Sequence, residues 1–576
     1  MVLQRYKLQI ASHFVAQTGW TAEELANLME VPPDRTLGDL ALPCFKLAKT
    51  MRLAPPVIAQ ALAQDLQTCT IVHHAEATGG YLNVRLTRET VTTDTLVHLR
   101  SDDTVFQDAR GAGQTVAIDL SSPNIAKPFS MGHLRSTVIG TALANLFETS
   151  GYKTVRINHL GDWGTQFGKI IVAYRTYGDE ATVSANPITE LNRLYVQFHE
   201  EAKERPELDD AARAAFKRLE DGNEEDLTLW RYMIDVSMKE FEKTYRLLGT
   251  KFDYNLGESF YNDKMDAVVD ELREKGLLEE SDGAEVVQLG ETMPPCLIRR
   301  SDGATLYPTR DLAAALYRAR HFHADHLLYV VGGEQRLHFQ QVFAVLRKMG
   351  YTFADACEHI AFGLMRMGGK KMSTRKGQIV RLQEVLDEAI TRARAIIEEK
   401  NPHLQNADAV ARAVGVGAVI FNDLKTYRLH DIDFTMDTAL AFDGETGPYV
   451  QYAHARTCSI LRKAGVLQAG PSVEGWVTSL PNTHAEDAVD DATWYLTLTL
   501  QGIEAIRVRA IEERDPSLVA KHALDIAQAF NRFYHDCPIL TSDGELKAMR
   551  LALTDAVRVA LLHAMTWLGI EAPSEI

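Results

Sequence analysis

The run Thr115-Val116-Ala117-Ile118-Asp119-Leu120-Ser121-Ser122-Pro123-Asn124-Ile125-Ala126-Lys127-Pro128-Phe129-Ser130-Met131-Gly132-His133-Leu134-Arg135-Ser136 decides how the chain is read. Its opening residues, Thr115 to Leu120, are mostly apolar and rich in β-branched side chains, the mark of a buried strand. Beyond it, Leu134, Val138, Ile139, Ala142, Leu143, Leu146 and Phe147 recur at helical spacing. A polar, proline-containing loop joins the two and closes on Gly132-His133 at the helix entrance. Free backbone N–H groups point outward from a helix N-terminus, so strand, loop and helix together make an anion site. Gly132 lets a nucleotide lie against the backbone, and His133 can donate to a phosphate. The bland alternative is a helix cap with a surface histidine, and the rest of the chain has to choose.

Outward from that loop, 576 residues are too many for one core, and three or four domains are expected. A hydrophobic fraction of 46% and a charged fraction of 24% belong to a soluble globular protein. No apolar run approaches the roughly 18–20 residues a membrane span needs, and the N-terminus lacks a basic-then-apolar signal pattern. Six cysteines (44, 69, 296, 357, 458, 537) form no CxxC pair. That argues against a zinc site or a disulfide framework and for the cytosol. The net charge of −17, from 61 basic and 78 acidic residues, argues against non-specific nucleic-acid binding. A local basic track facing one specific RNA is still compatible with it.

Residues 1–110 read as an α+β domain. An amphipathic helix lies near Arg5–Gln17, Pro55-Pro56 opens another, and a strand follows the Gly79-Gly80 turn. Arg35, Lys46, Lys49 and Arg52 are candidate phosphate contacts there; the alternative is an accessory domain without RNA contact. Residues 111–385 alternate strands with helices, which predicts a doubly wound parallel sheet with its ligands outside the carboxyl ends of the strands. Val155–Asn158 is the second strand. It ends in His159-Leu160-Gly161-Asp162-Trp163-Gly164-Thr165-Gln166-Phe167-Gly168, either a floor against a ligand or a glycine-rich turn around a core Trp. From about 170 to 295 the pattern is helical and acidic, and the acidic runs read as solvated helix faces.

Pro295–Arg299 is strand-like, and Tyr307 and Asp311, four apart at a strand-to-helix junction, can converge on one pocket. His326–Val331 is an almost unbroken apolar run, a central parallel strand. It ends at Gly332-Gly333-Glu334-Gln335, which aims Gln335 and His338 at the same crevice. Gly368-Gly369-Lys370-Lys371-Met372-Ser373-Thr374-Arg375-Lys376-Gly377 is either a basic surface loop or a mobile arm that brings an ammonium onto phosphates. A helical connective region, 386–445, leads to a helical domain, 446–576. There Ala523, Ile526, Ala527, Phe530 and Phe533 form a core stripe. Tyr449, Tyr452 and Tyr534 can offer rings to unstacked RNA bases.

Several of these blocks resemble one family. SSPNIAK followed by GHLRS resembles the HIGH signature of class I aminoacyl-tRNA synthetases in its arginyl form, and Asn158–Gly168 resembles that family's NHLGDWGTQFG element. Gly368–Gly377 resembles the KMSKS loop, with Lys371 in the key position, and Phe442–Arg456 resembles the arginyl block that opens an anticodon-binding bundle. The resemblance covers essentially the whole chain in the right order.

It implies a multidomain α/β protein: a class I, Rossmann-like doubly wound catalytic domain, an α+β N-terminal tRNA-contacting domain and an all-α C-terminal anticodon-binding bundle. It implies arginine activation by ATP with Mg2+, no structural metal, transfer to tRNA-Arg, activation that needs bound tRNA, and a cytoplasmic monomer. His133, Lys371 and Lys127 take the catalytic roles. Ser130, Gly132, His133, Gly333, His338, Met365, Lys371 and Ser373 contact ATP. Asp119, Asn124, His159, Tyr307, Asp311 and Gln335 hold arginine, and Tyr449, Tyr452 and Tyr534 meet the tRNA. The alternative is a synthetase-like tRNA-binding protein with another amino-acid specificity. Two departures stand out. Ser130 replaces the first His of the signature, either as a weaker phosphate donor or as a helix cap, and the tail Ala572-Pro573-Ser574-Glu575-Ile576 lacks the family's usual Arg and Met.

Overall fold

The chain opens with the helix Val2–Ser12 and then builds an antiparallel sheet from β1 (Leu40–Pro43), β2 (Val72–Thr78) and β3 (Tyr81–Leu86), in the order β1-β3-β2. Two prolines start the helix Pro55–Asp65, where the missing N–H has no partner to lose. A computed structural model of the protein describes residues 2–576 apart from 33, 35, 102, 301–306, 368–369, 372–379, 469–474 and 480–488. The helix Arg88–Ser101 docks this first domain onto the far end of the chain. Trp494 donates to Asp39 at 2.8 Å and Gln501 to Thr95 at 2.7 Å.

The organising sheet is all parallel: β4 (Thr115–Asp119), β5 (Lys153–Asn158), β6 (Tyr254–Asn255), β10 (His326–Tyr329) and β11 (Cys357–His359), in spatial order β11-β10-β4-β5-β6. Every residue of β4 is buried, as a strand covered on both faces must be. The helix Leu134–Thr149 is buried nearly all round, so it reads as a core helix. From β4 the chain first winds through β5 to β6 and then crosses back to β10 and β11. The switch point therefore lies between β4 and β10, with the crevice outside their carboxyl ends.

Between β5 and β6 the helices Thr165–Tyr177, Glu180–Ala185, Pro187–Glu201, Glu207–Glu220 and Glu224–Leu248 form the acidic insertion. Much of its charge sits on solvated faces in pairs such as Glu200–Lys203 and Asp221–Lys217. Asp226 and Glu190 are buried instead, Asp226 between Arg175 (2.8 Å) and Arg218 (2.9 Å) and Glu190 against Arg193. The insertion's helical run ends at Leu248 rather than near 295. After β6 and the helix Met265–Glu274, the chain forms a second antiparallel sheet of β7 (Leu278–Ser281), β8 (Ala284–Val287) and β9 (Cys296–Arg299). Asp282 and Gly283, both at positive φ (50° and 77°), turn β7 into β8 as a two-residue hairpin.

A small sheet of β12 (Met365–Met367), β13 (Lys370–Lys371) and β14 (Ile432–Phe434) brackets the helices Leu382–Lys400 and Ala407–Leu424, which lie between β13 and β14 in the chain. The C-terminal helices Gly447–Lys463, Asp491–Leu500, Ile503–Glu512, Ser517–Asp536 and Gly544–Trp567 pack as a bundle with Phe530 and Phe533 in its core. Among the described residues no helix is long and apolar enough to cross a membrane.

Candidate active site

The loop after β4 is held in a costly shape. Ser121, Ser122 and Ala126 all have positive φ (70°, 52° and 59°), a region that costs a non-glycine residue on the order of 1–3 kcal/mol. Side chains over-determine it. Ser121 N–H donates to Ser136 Oγ (2.8 Å), Ser122 N–H to Asn158 Oδ1 (3.2 Å), and Ser122 Oγ to Asp119 Oδ1 (2.8 Å). Ser136 Oγ in turn donates to the carbonyl of Val330, which ties the loop to the end of β10.

At the helix entrance, the backbone N–H of Ser130 donates to His133 Nδ1 at 3.1 Å. A nitrogen that accepts a hydrogen bond carries no proton, so neutral His133 holds its proton on Nε2. Burial pushes the ring's pKa down to about 4, which keeps it neutral. Ser130 Oγ also lies 3.2 Å from Nδ1, so the hydroxyl orients the histidine. A Cβ on Gly132 would meet only Ser130 Oγ, at 3.4 Å, so no protein wall demands glycine there and the space stays open for a ligand. Lys127 lies 3.4 Å from Gln166 Oε1 and, among the described residues, pairs with no carboxylate; burial lowers its pKa.

The segment that follows the second signature is tied to this loop. Met131 N–H donates to Val380 O (3.1 Å) and Leu382 N–H to Phe129 O (2.9 Å). Lys371 lies in β13, paired through the backbone with Arg366. Ser373 lies outside the described residues, as do Arg35 and the remainder of that loop.

Across the switch point, Asp311 and His338 meet. His338 Nε2 donates to Asp311 Oδ2 at 2.5 Å. Burial pushes the Asp311 carboxyl up, and the His338 hydrogen bond with the charges of His338, His159 and Arg318 outweighs it, leaving the pKa below the ordinary value. His159 donates from Nδ1 to Leu256 O (3.1 Å), which leaves Nε2 as an acceptor in the neutral ring. Glu258 is an acid that sequence reasoning missed. Burial, opposed by Arg310 at 3.5 Å and reinforced by Asp311 and Asp162, holds its carboxyl at about 7. The Gly-Glu-Ser turn just past β6, at a strand's carboxyl end, was the signal available.

The structure places the other expected residues as follows. Both oxygens of Asp119 are committed, Oδ1 to Ser122 and Oδ2 to the buried Arg318 at 2.8 Å. Tyr307 is 62% exposed at the start of its helix, Gln335 is exposed at the end of a short 3₁₀ turn, and His338 reaches Asp311. Met365 is buried in β12, where it pairs with Ile432. Gly333 N–H donates to Phe362 O (2.9 Å). Within the His159–Gly168 block, Asp162 and Trp163 have packing roles. Asp162 accepts from Ser259 N–H (2.8 Å) and Oγ (2.6 Å), and Trp163 packs edge-on against Phe216 and Trp230. A Cβ on Gly161 would overlap the side-chain amide of Asn124, so this glycine seats Asn124.

In the C-terminal bundle the Arg456 guanidinium lies between two exposed rings, 4.7 Å from Tyr452 and 5.1 Å from Tyr534. Tyr449 instead accepts from Asn531 at 2.8 Å and is half-buried. The tail is docked. His454 donates to Pro573 O (3.0 Å), and Arg462 reaches Ser574 O (3.0 Å) and Glu575 (3.2 Å).

Comparison with known proteins matches this arrangement. Residues 95–436 fit the family model described as tRNA synthetases class I (R), catalytic domain. Residues 450–576 fit the DALR anticodon binding domain, and residues 7–86 the arginyl tRNA synthetase N terminal domain. The chain is 51% identical to an arginine–tRNA ligase of an Exiguobacterium species, over 96% of this chain and 97% of that one. It is 49% identical to the Enterococcus faecalis arginine–tRNA ligase, over 98% of each. Among solved structures it is similar to the Thermus thermophilus arginyl-tRNA synthetase (TM-score 0.80, 28% identity, 100% of both chains covered).

Proposed function

The chain belongs to the class I tRNA synthetases of the arginine type, and we propose that it joins L-arginine to tRNA-Arg, converting ATP to AMP and pyrophosphate through an arginyl-adenylate. A carboxylate oxygen of arginine attacks the α-phosphorus, the bond to the bridging oxygen breaks, and pyrophosphate leaves with the electron pair. The 3′-terminal adenosine of the tRNA then takes the aminoacyl group and AMP departs.

The observation that carries the reading is the pairing of two opposite chemistries across one switch point. On one side stand an open helix entrance and a histidine fixed as an Nε2–H donor. On the other stand two acids, Asp311 and Glu258, whose charges act on each other. Anionic phosphate suits the first and a guanidinium the second. No covalent nucleophile is required. His133 donates to charge that grows on the phosphates, Lys127 adds a cation, and Lys371 takes the leaving-group role by its place in the KMSKS-like segment. Mg2+ arrives with ATP, held by phosphate oxygens and water. Asn124, seated by Gly161, is a further arginine contact, and His159 stands second to it.

The tRNA meets the chain at both ends. The exposed Tyr452–Arg456–Tyr534 stack offers π faces to anticodon bases. In the first domain, Phe45 (54% exposed) and Tyr81 make an edge-on pair beside exposed Lys46, Lys49 and Arg52. The test of the arginine pocket is Asp311→Asn. It should raise the Michaelis constant for arginine sharply while that for ATP stays near wild type, and an unchanged arginine constant refutes the assignment.

A further inference from the structure

Beneath the acids of the arginine pocket lies a cation that belongs to the protein itself. Arg318 is 2% exposed, its Nη2 sits 2.8 Å from Asp119 Oδ2, and its guanidinium lies 5.3 Å from the centre of the Tyr329 ring. Tyr329 ends β10 and is the register partner of Asp119 at the end of β4, so this layer floors the crevice at the switch point. Arg318 Nε has no hydrogen-bond partner among the described residues. Asp119 is the carboxylate in ion-pair contact with the buried guanidinium, and Tyr261 lies against it as well.

That carboxylate is also the anchor of the strained loop. Asp119 Oδ1 accepts from Ser122 Oγ, and Ser122 is one of the positive-φ residues that deliver Asn124 and Lys127 to the site. Arg318 therefore acts in sequence: it fixes Asp119, Asp119 fixes Ser122, and Ser122 fixes the loop. Its charge also bears on Asp311, which it helps to keep ionised. An acid whose charge is already matched by a guanidinium at 2.8 Å offers a second one much less. A lone buried guanidinium would repel the substrate's.

We propose that Arg318 and Asp119 work as one charge-neutral positioning unit under the arginine pocket. Asp119 cancels Arg318 and holds the signature loop, and the substrate's guanidinium is left to Asp311 and Glu258. The proposal rests on the arginine-pocket reading above, and its test separates the two. Aminoacylation of tRNA-Arg is measured with arginine and then ATP varied, for Asp119→Asn, the double variant Asp119→Asn/Arg318→Gln, and Asp311→Asn.

Asp119→Asn leaves an uncompensated cation under the pocket, so the arginine Michaelis constant should rise about tenfold or more, with ATP's changed far less. The double variant removes that cation and keeps an acceptor for Ser122, so the arginine constant should return to within about threefold of wild type. A double variant no better than Asp119→Asn overturns the proposal, because Asp119 would then be contacting the substrate directly. Should Asp119→Asn fail to yield folded protein by thermal melt, the double variant alone decides. Arginine use within about threefold of wild type supports the unit, and a loss of about tenfold or more overturns it. If instead Asp311→Asn leaves the arginine constant unchanged, the pocket reading itself fails.

Discussion

Arginine binding should weaken as the pH falls through neutrality, and Glu258 sets the size of the effect. Burial raises its carboxyl from 4.5, Arg310 at 3.5 Å only partly opposes this, Asp311 and Asp162 add to it, and the result is about 7. A guanidinium binds the ionised form. The fraction of sites ready for arginine is then nearly complete at about pH 8.5, about half at pH 7 and about a tenth at pH 6, a change of roughly tenfold in affinity. The sign differs for the protein alone. A raised folded pKa means that Glu258 contributes stability at low pH and loses it as the pH rises from about 4.5 through 7. Arginine reverses that loss by pairing with the carboxylate, so the rise in melting temperature it causes should grow from pH 6 to pH 8. Calorimetric titration in two buffers of different ionisation enthalpy should find about half a proton released per arginine bound at pH 7. Glu258→Gln should abolish the release and flatten the pH dependence while weakening binding. Equal proton release from the variant and the wild type, or an affinity constant from pH 6 to 8.5, would refute the reasoning.

Arg135 anchors the signature helix to Asp423 at 3.2 Å and to the carbonyls of Gly363 (2.9 Å) and His430 (2.8 Å). Arg135→Met should cost about 3–5 kcal/mol at pH 7.5 by stranding a buried carboxylate. Burial, only partly opposed by Arg135, already holds Asp423 at about 6, so the deficit should shrink at pH 5 as the carboxyl protonates; a deficit equal at both pH values in denaturation experiments contradicts this. Tyr452→Ala should raise the tRNA Michaelis constant with arginine and ATP constants little changed, since stacking is worth about 1–3 kcal/mol per base. Deleting Ser574–Ile576 removes contacts to Arg462 and should weaken aminoacylation less than Tyr452→Ala at the same fixed salt; the reverse order would move the anticodon contacts to the tail.

The parallel sheet was legible because strands buried on both faces leave continuous apolar runs, as Thr115–Leu120 and His326–Val331 do. The β7–β8 hairpin was not, since Leu278-Glu279-Glu280-Ser281 has little apolar surface to announce it; only the Asp282-Gly283 dipeptide marks the turn. Trp163 and Asp162 show the limit of motif reading in another form. Their partners, Phe216, Trp230 and Ser259, are brought to them by the fold, and nothing local distinguishes a ligand floor from a core turn. Tyr307 and Gln335 sit at the right spacing for a shared crevice, and their exposure is set by the fold around them, which spacing does not report.

The buried arginines were the least visible part of the site, because an arginine in isolation reads as surface. Arg135 closes on Asp423, Arg318 on Asp119 and Arg507 on Asp108, each across a long stretch of sequence. These pairs have a consequence for recognition. A protein that must select a guanidinium cannot leave its own guanidinium groups competing for the same acids. Here the chain's buried arginines each pair with a carboxylate. Asp311 is held by a histidine rather than an arginine, and Glu258 faces Arg310 only at 3.5 Å. A substrate guanidinium can therefore gain more at Asp311 and Glu258 than at Asp119, whose charge Arg318 already matches at 2.8 Å, and selectivity follows from how fully the fold has neutralised each acid.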